Sequence, residues 1–448
     1  MATWLTTWEP ENNEFWESQG KHIAWRTLVI TTIALFLSFA SWFMMSAIVT
    51  KLPGMGFNFS YNQLFWLAAI PGLAGGTLRI VHTFLIPIFG TRHTITVSTL
   101  IKLFPCVGVG LAILDPNTPF WVFLVLAFTT GFGGGDFSSY MPSTNLFFPN
   151  RLKGTALGIQ AGIGNFGVSL AQFITPMMLG LSFSKFPKIS VRPEPGASDV
   201  LEAIQVYLHS PAFWYNVPVI IVITVLCWIL LRSVPIKASF REQLDIFKDK
   251  HTWFCTTTYF MTFGTFAGLS AAFPLMIRTL YGNFDATLDP LKFAFYGPFI
   301  GSASRVLFGF VADKIGGAIL TTITGCGLIL GSLLIIALGL VNPTSIDQFP
   351  IFVGIMFAMF FFTGVGNAAT FRQFPIIFQK NQRQAAGVIG WTAGIAAYGP
   401  FVFSLLIGYS INSAGHANGF FWGLLVFLFI ATWVNWNFYN KKGCERPS

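Results

Sequence analysis

The sequence predicts an all-α integral membrane protein with twelve transmembrane helices in two pseudo-symmetric six-helix bundles. Three observations carry that prediction. The 448 residues are 54% hydrophobic and only 10% charged, whereas soluble domains carry about 25% charge, and mean hydropathy is +0.65. Apolar runs near or above ~18 residues, long enough to cross a bilayer, recur along the whole length. The two halves also repeat each other at charged positions, which are rare in lipid, and at glycines.

The apolar spans fall at 25–50, 62–89, 93–114, 119–147, 155–182, 212–232, 252–279, 290–311, 318–341, 349–377, 385–411 and 419–438. Short polar links separate most of them: GTRH, DPNTP, PNRLK, DKIGG and KNQRQ. Two segments are longer. Residues 183–211 read as an outer loop with a short surface helix near 198–208. Residues 233–251 (SVPIKASFREQLDIFKDKH) read as a linker between an N-terminal bundle, 1–232, and a C-terminal bundle, 252–448.

Lys and Arg set the orientation, because cytoplasmic loops are enriched in them. Placing both termini in the cytoplasm leaves only Lys51, Lys185, Lys188, Arg192, Arg278 and Lys292 outside, with Arg79, Lys102, Arg305 and Arg372 inside spans. The net charge of +9 therefore reflects topology, and no nucleic-acid partner is expected. The polar, acidic start MATWLTTWEPENNEFWESQG does not read as a signal peptide. Cys106, Cys227, Cys255 and Cys326 are expected to be packing residues and Cys444 a tail residue, since their spacing suits neither metal nor disulfide. No metal, cofactor or catalytic set is expected.

The repeat is legible in GGTLRIVHTFLIPIFGTR and GSASRVLFGFVADKIGG. Each places an Arg (Arg79, Arg305) after small residues in the second helix of its half, and a Gly (Gly90, Gly316) follows at the same interval. LFFPNRLKGTALGIQAGIGNFG and PIIFQKNQRQAAGVIGWTAGIAAYG correspond in the same way. Two parallel six-helix repeats with a midplane site between them constitute the major facilitator architecture.

An intramembrane arginine costs at least ~2.5–3.5 kcal/mol, and no acid lies within a helical turn of Arg79 or Arg305. The pseudo-two-fold faces them across the centre, where forked guanidiniums suit a flat oxyanion. Gly158, Gly162, Gly164 and Gly167 in the fifth span, and Gly387, Gly390 and Gly394 in the eleventh, permit close helix approach and sliding. Asn165 stands on the first of these glycine faces. Phe137, Tyr259 and Phe263 are candidates to wall a planar anion. Asp136 and His82 are intramembrane ionisable groups, hence proton-site candidates; otherwise Asp136 pairs with a base such as Arg372 and His82 is packed.

These residues resemble the NarK-type nitrate/nitrite porter family of the major facilitator superfamily. The likeness runs from WEPENNEFWESQGKHIAWRTL through nearly the whole chain. It is most specific at AGIGNFGVSLAQF and GVIGWTAGIAAYGPF, with GFNFSYNQLF, PIFG, GPFIGSASR and GFVADKIGG adding to it. It implies nitrate or nitrite held between Arg79 and Arg305, with aromatic walls Phe137 and Phe263, donor Tyr259 and the signature residue Asn165. It departs at Asp136, where the family has Asn, and at bulky Trp391 and Tyr398 in the eleventh span. The expected activity is nitrate/nitrite exchange by a monomer in the bacterial inner membrane. The alternatives are proton-coupled symport through Asp136 or His82, or a non-transporting anion sensor.

Overall fold

The computed structural model describes residues 4–179, 189–191, 204–206, 217–235, 241–285, 287–379 and 382–448. It is helical almost throughout. Twelve membrane-length or near-membrane-length helices are present among the described residues. The first six are α1 (Lys21–Ile48), α2 (61–89), α3 (91–101, continued by Leu103–Ala112), α4 (Phe120–Phe147, in three segments), α5 (Asn150–Leu179) and α6 (Val217–Leu230). The second six are α7 (Lys250–Tyr281), α8 (Tyr296–Ile315), α9 (Gly317–Ala337), α10 (Phe349–Ile377), α11 (Gln382–Ala396, continued by Gly399–Ala414) and α12 (Asn418–Asn435). Ten of these are long and apolar enough to span a bilayer by composition alone. The exceptions are α6, which is short, and α8, which carries Arg305, Asp313 and Lys314.

Local signals explain the helix ends. Ser60 and Gln63 form a reciprocal capping box at the start of α2, satisfying two orphan N–H groups, and Asp249 accepts the His251 N–H at the start of α7. Between α2 and α3 the helix breaks at Gly90, whose φ is 76°. A side chain there would strike Ser233, so glycine is needed for both backbone and space. Gly316 turns α8 into α9 with φ 102°. The sequence repeat thus recurs as the same turn in each half.

Within the first half α5 lies against α1, and Gly167 is pressed onto the Phe36 carbonyl. Within the second, Gly399 of α11 is pressed onto the Gly264 carbonyl of α7. The halves meet along two related seams. Gly72 of α2 abuts Pro400 and Phe401 of α11, while Phe166 and Ser169 of α5 meet Phe299 and Phe295 on or beside α8. Lys51 and Asp289 form a 3.1 Å ion pair between the halves on the side away from the termini, and Arg278 donates there to the Thr50 carbonyl. Large apolar side chains including Val29, Trp121, Phe310 and Trp433 remain exposed around the molecule, a lipid-facing band rather than isolated surface hydrophobes.

Two expectations are corrected. The surface helix near 198–208 is contradicted where the chain is described: Ile204–Val206 is strand β2, antiparallel to β1 (Ile189–Val191), while 198–203, 207 and 208 lie outside the described residues. Cys326 is exposed rather than packed, unlike Cys106, Cys227 and Cys255, because its position on α9 faces outward.

Candidate functional site

Arg79 is fully buried on α2 and held from both halves of the molecule. Its Nε donates to the Gly134 carbonyl of α4 at 2.8 Å and its Nη1 to the Ala393 carbonyl of α11 at 2.7 Å. Nη2 has no partner. The Phe137 and Phe263 rings lie 4.8 and 5.1 Å from its guanidinium carbon, with Trp42 and Phe39 at 5.3 and 5.9 Å. Ring faces attract a cation, most strongly where water is excluded, so this cage helps to retain the charge.

Arg305 occupies the related position on α8. It is buried, Phe371 of α10 covers it at 4.8 Å, and its Nη1 has no partner. Phe371 also stands edge-on to Phe137, 6.4 Å away, and 5.4 Å from Tyr259. Arg79, Phe137, Phe371 and Arg305 therefore form one connected path across the centre. The two guanidiniums are within coulombic reach of each other and of the Tyr259 hydroxyl. That hydroxyl lies beside Arg305 without a bond of good geometry.

Helix α7 changes pitch here, with a π segment at Phe260–Gly264. Such wide turns concentrate at functional sites. It brings Tyr259 and Phe263 into parallel stacking, with centroids 5.5 Å apart and an interplanar angle of 5°. Helix α4 is likewise interrupted, at Gly131 and Asp136, which frees the Gly134 carbonyl region to meet Arg79. Asn165 is fully buried, and neither atom of its amide is partnered.

Asp136 belongs to a separate buried cluster. Its Oδ2 lies 2.5 Å from Lys102 Nζ and accepts from Ser38 Oγ at 2.6 Å. His82 Nδ1 lies 3.7 Å from Oδ1 and 3.0 Å from Ser139 Oγ. Arg372 is not the partner; it pairs with Asp313 at 2.8 Å. Asp136 is thus neutralised by α3, and the two central arginines keep their charge. Among the described residues neither Arg79 nor Arg305 forms an ion pair.

The glycines divide into two groups. On α5, Gly164 and Gly167 face α1, and Gly162 faces Val306 beside Arg305, while a Cβ at Gly158 would meet open space. On α11, Gly390 and Gly394 face Thr83 and Ile80 of α2 at ordinary contact distance, and Gly387 faces Ile246. Gly390 and Gly394 therefore leave room that Gly164 and Gly167 do not.

The site also contains residues not singled out from sequence, Phe371, Trp42 and Phe39, and near it lies the buried, unpartnered Asn367. The internal repeat could have exposed Asn367, since GVGNAAT (364–370) aligns with GGGDFSS (133–139) and puts it opposite Asp136.

Fold and site define a two-bundle membrane carrier with a buried, dicationic, aromatic-walled centre. The model of the major facilitator superfamily matches residues 31–375. The chain is 52% identical to a probable nitrate/nitrite antiporter, NarK2, of Thermus thermophilus, over 100% of this chain and 98% of that one. It is 33% identical to the nitrate/nitrite transporter NarU of Escherichia coli K12, over 98% and 96%. The crystal structure of a bacterial homologue of the human lysosomal transporter Spinster, inward-facing and occupied, shares the fold with a TM-score of 0.66 at 15% identity, over 91% and 95% of the two chains. The chain belongs to the major facilitator superfamily and, within it, to the NarK-type nitrate/nitrite porter family.

Proposed function

We propose that this chain exchanges nitrate for nitrite by alternating access, with the anion held between Arg79 and Arg305. The observation that carries this reading is a pair of buried arginines, one per half, each with a free guanidinium nitrogen and no carboxylate. The relatives named for nitrate/nitrite antiport and transport supply the substrate class. Phe137 and Phe263 wall the planar anion, and Tyr259 and Asn165 donate to it.

Exchange follows from charge. Two fixed cations repel across the empty centre and oppose its closure, whereas a bound anion removes that barrier. Loaded carriers reorient and empty ones do not. The looser glycine face of α11 on α2 supplies a sliding surface. The division into bundles 1–232 and 252–448 about linker 233–251, with both termini cytoplasmic and a single chain as the working unit, completes the proposal.

Proton symport through Asp136 or His82 is the weaker reading, because Lys102 already balances the carboxylate. The test is labelled nitrate uptake into proteoliposomes that are empty or loaded with nitrite, with and without a proton gradient. Uptake that requires internal nitrite and ignores the gradient supports exchange. Uptake into empty vesicles driven by the gradient overturns it.

A further inference from the structure

Two asparagines among the described residues are fully buried with both amide atoms unpartnered: Asn165 on α5 and Asn367 on α10. An unsatisfied buried amide costs roughly 1–3 kcal/mol, and such a group calls for an explanation. Asn165 already has one in the first half. Asn367 has none.

Its surroundings are specific. One turn before it, Gly364 is pressed onto the Gly301 carbonyl of α8, and one turn after it, Phe371 covers Arg305 at 4.8 Å. Residues three and four apart share a helix face. Gly364, Asn367 and Phe371 therefore all turn towards α8, with Asn367 close to the level of Arg305, four residues past Gly301. The adjacent Gly366 faces Thr262 in the π segment of α7 and Thr324 of α9. Asn367 thus stands between the helix carrying Tyr259 and Phe263 and the helix carrying Arg305.

The internal repeat explains why this amide has no partner in its own half. Asp136, its counterpart, is tied to Lys102 on α3. The offset that relates Arg79 to Arg305 and Gly90 to Gly316 relates Lys102 to Leu328 of α9. The second half therefore has neither the carboxylate nor the lysine, and the neutral amide is left without a partner.

We infer that Asn367 is a further substrate-contacting residue, its amide N–H donating to the bound anion from the second half as Asn165 does from the first. Each half then contributes one arginine and one asparagine, so a centred anion links the halves evenly. This inference rests on the proposed anion site between the arginines.

The test is thermal unfolding of the purified full chain over a nitrate titration, for the parent, Asn367→Leu and Arg305→Lys. Leucine keeps the branching at Cγ and removes the orphaned amide. Asn367→Leu is expected to match or exceed the parent's Tm without nitrate, and to bind nitrate roughly tenfold more weakly, the effect of losing one charge-assisted hydrogen bond. Asn367→Ala serves if the leucine variant fails to fold. Parental nitrate affinity in the Asn367 variant, with or without a lower ligand-free Tm, overturns the inference and makes the amide structural. If Arg305→Lys also keeps parental affinity, the anion site itself is wrong; if Arg305→Lys loses affinity, only the role of Asn367 fails.

Discussion

Lys102 Nζ lies 2.5 Å from Asp136 Oδ2 in the buried interior of the first half, joining α3 to α4. This pair settles the local charge. The Asp136 carboxylate is met by a cation within its own half, so the centre keeps the charge of its two arginines.

Breaking a buried pair from one side strands a charge and costs about 3–5 kcal/mol, whereas replacing both partners with neutral groups is often close to neutral. Asp136→Asn and Lys102→Met should each lower the unfolding temperature markedly, and the double variant should recover most of the loss. Thermal unfolding of the four proteins checks this. The double variant should also retain exchange with no new pH dependence.

Phe371 is expected to matter through its ring and not only its volume. It covers Arg305 and touches both Phe137 and Tyr259. A desolvated cation–π contact contributes about 2 kcal/mol. Phe371→Leu should therefore weaken nitrate binding by about tenfold while leaving the fold intact, as read by competition with labelled nitrate.

The glycines separate by the space around them. An alanine methyl at Gly167 would meet the Phe36 carbonyl, whereas at Gly390 the nearest atom, in Thr83, is 3.7 Å away. Overpacking costs roughly 1–3 kcal/mol, while Gly→Ala in an open helix gains up to about 1 kcal/mol. Gly167→Ala should lower the unfolding temperature, and Gly390→Ala should hold or raise it.

The C-terminal tail supplies a pH prediction. Glu445 meets Lys250 at 2.8 Å and His251 at 3.1 Å, contacts that hold its carboxyl down at about 2. A depressed carboxyl stabilises the folded chain above its unfolded value and loses that contribution as pH falls through 4.5 towards 2. Because Glu445 is well exposed, the contribution is at most about 1 kcal/mol. The stability difference between the parent and Glu445→Gln should be small, present at pH 7, and vanish in that acid window.

Much of this was legible beforehand, for physical reasons. Charges in lipid are rare and costly, so Arg79 and Arg305 stand out, and their shared offset reveals the two halves. Gly90 and Gly316 mark the same turn for the same reason. Lys102 as the partner of Asp136 was not legible, because pairing between neighbouring helices leaves no periodic trace. Phe371 was hidden among 51 phenylalanines. Asn367 was hidden because an asparagine carries no charge to betray its burial. Helix α8 passes poorly as a span by hydropathy because Arg305, Asp313 and Lys314 make it polar. The orientation of Cys326 and the extended backbone at Ile204–Val206 depend on packing that composition does not encode.

The most direct measurement is nitrate affinity by calorimetry for the purified parent, Arg79→Lys and Arg305→Lys. Lysine keeps the charge but loses the planar fork, and at Arg79 it also gives up the paired grip on the Gly134 and Ala393 carbonyls. The expected result is one nitrate per chain for the parent and affinities at least about tenfold weaker for both variants. Parental affinity in both would contradict an anion held between the two arginines.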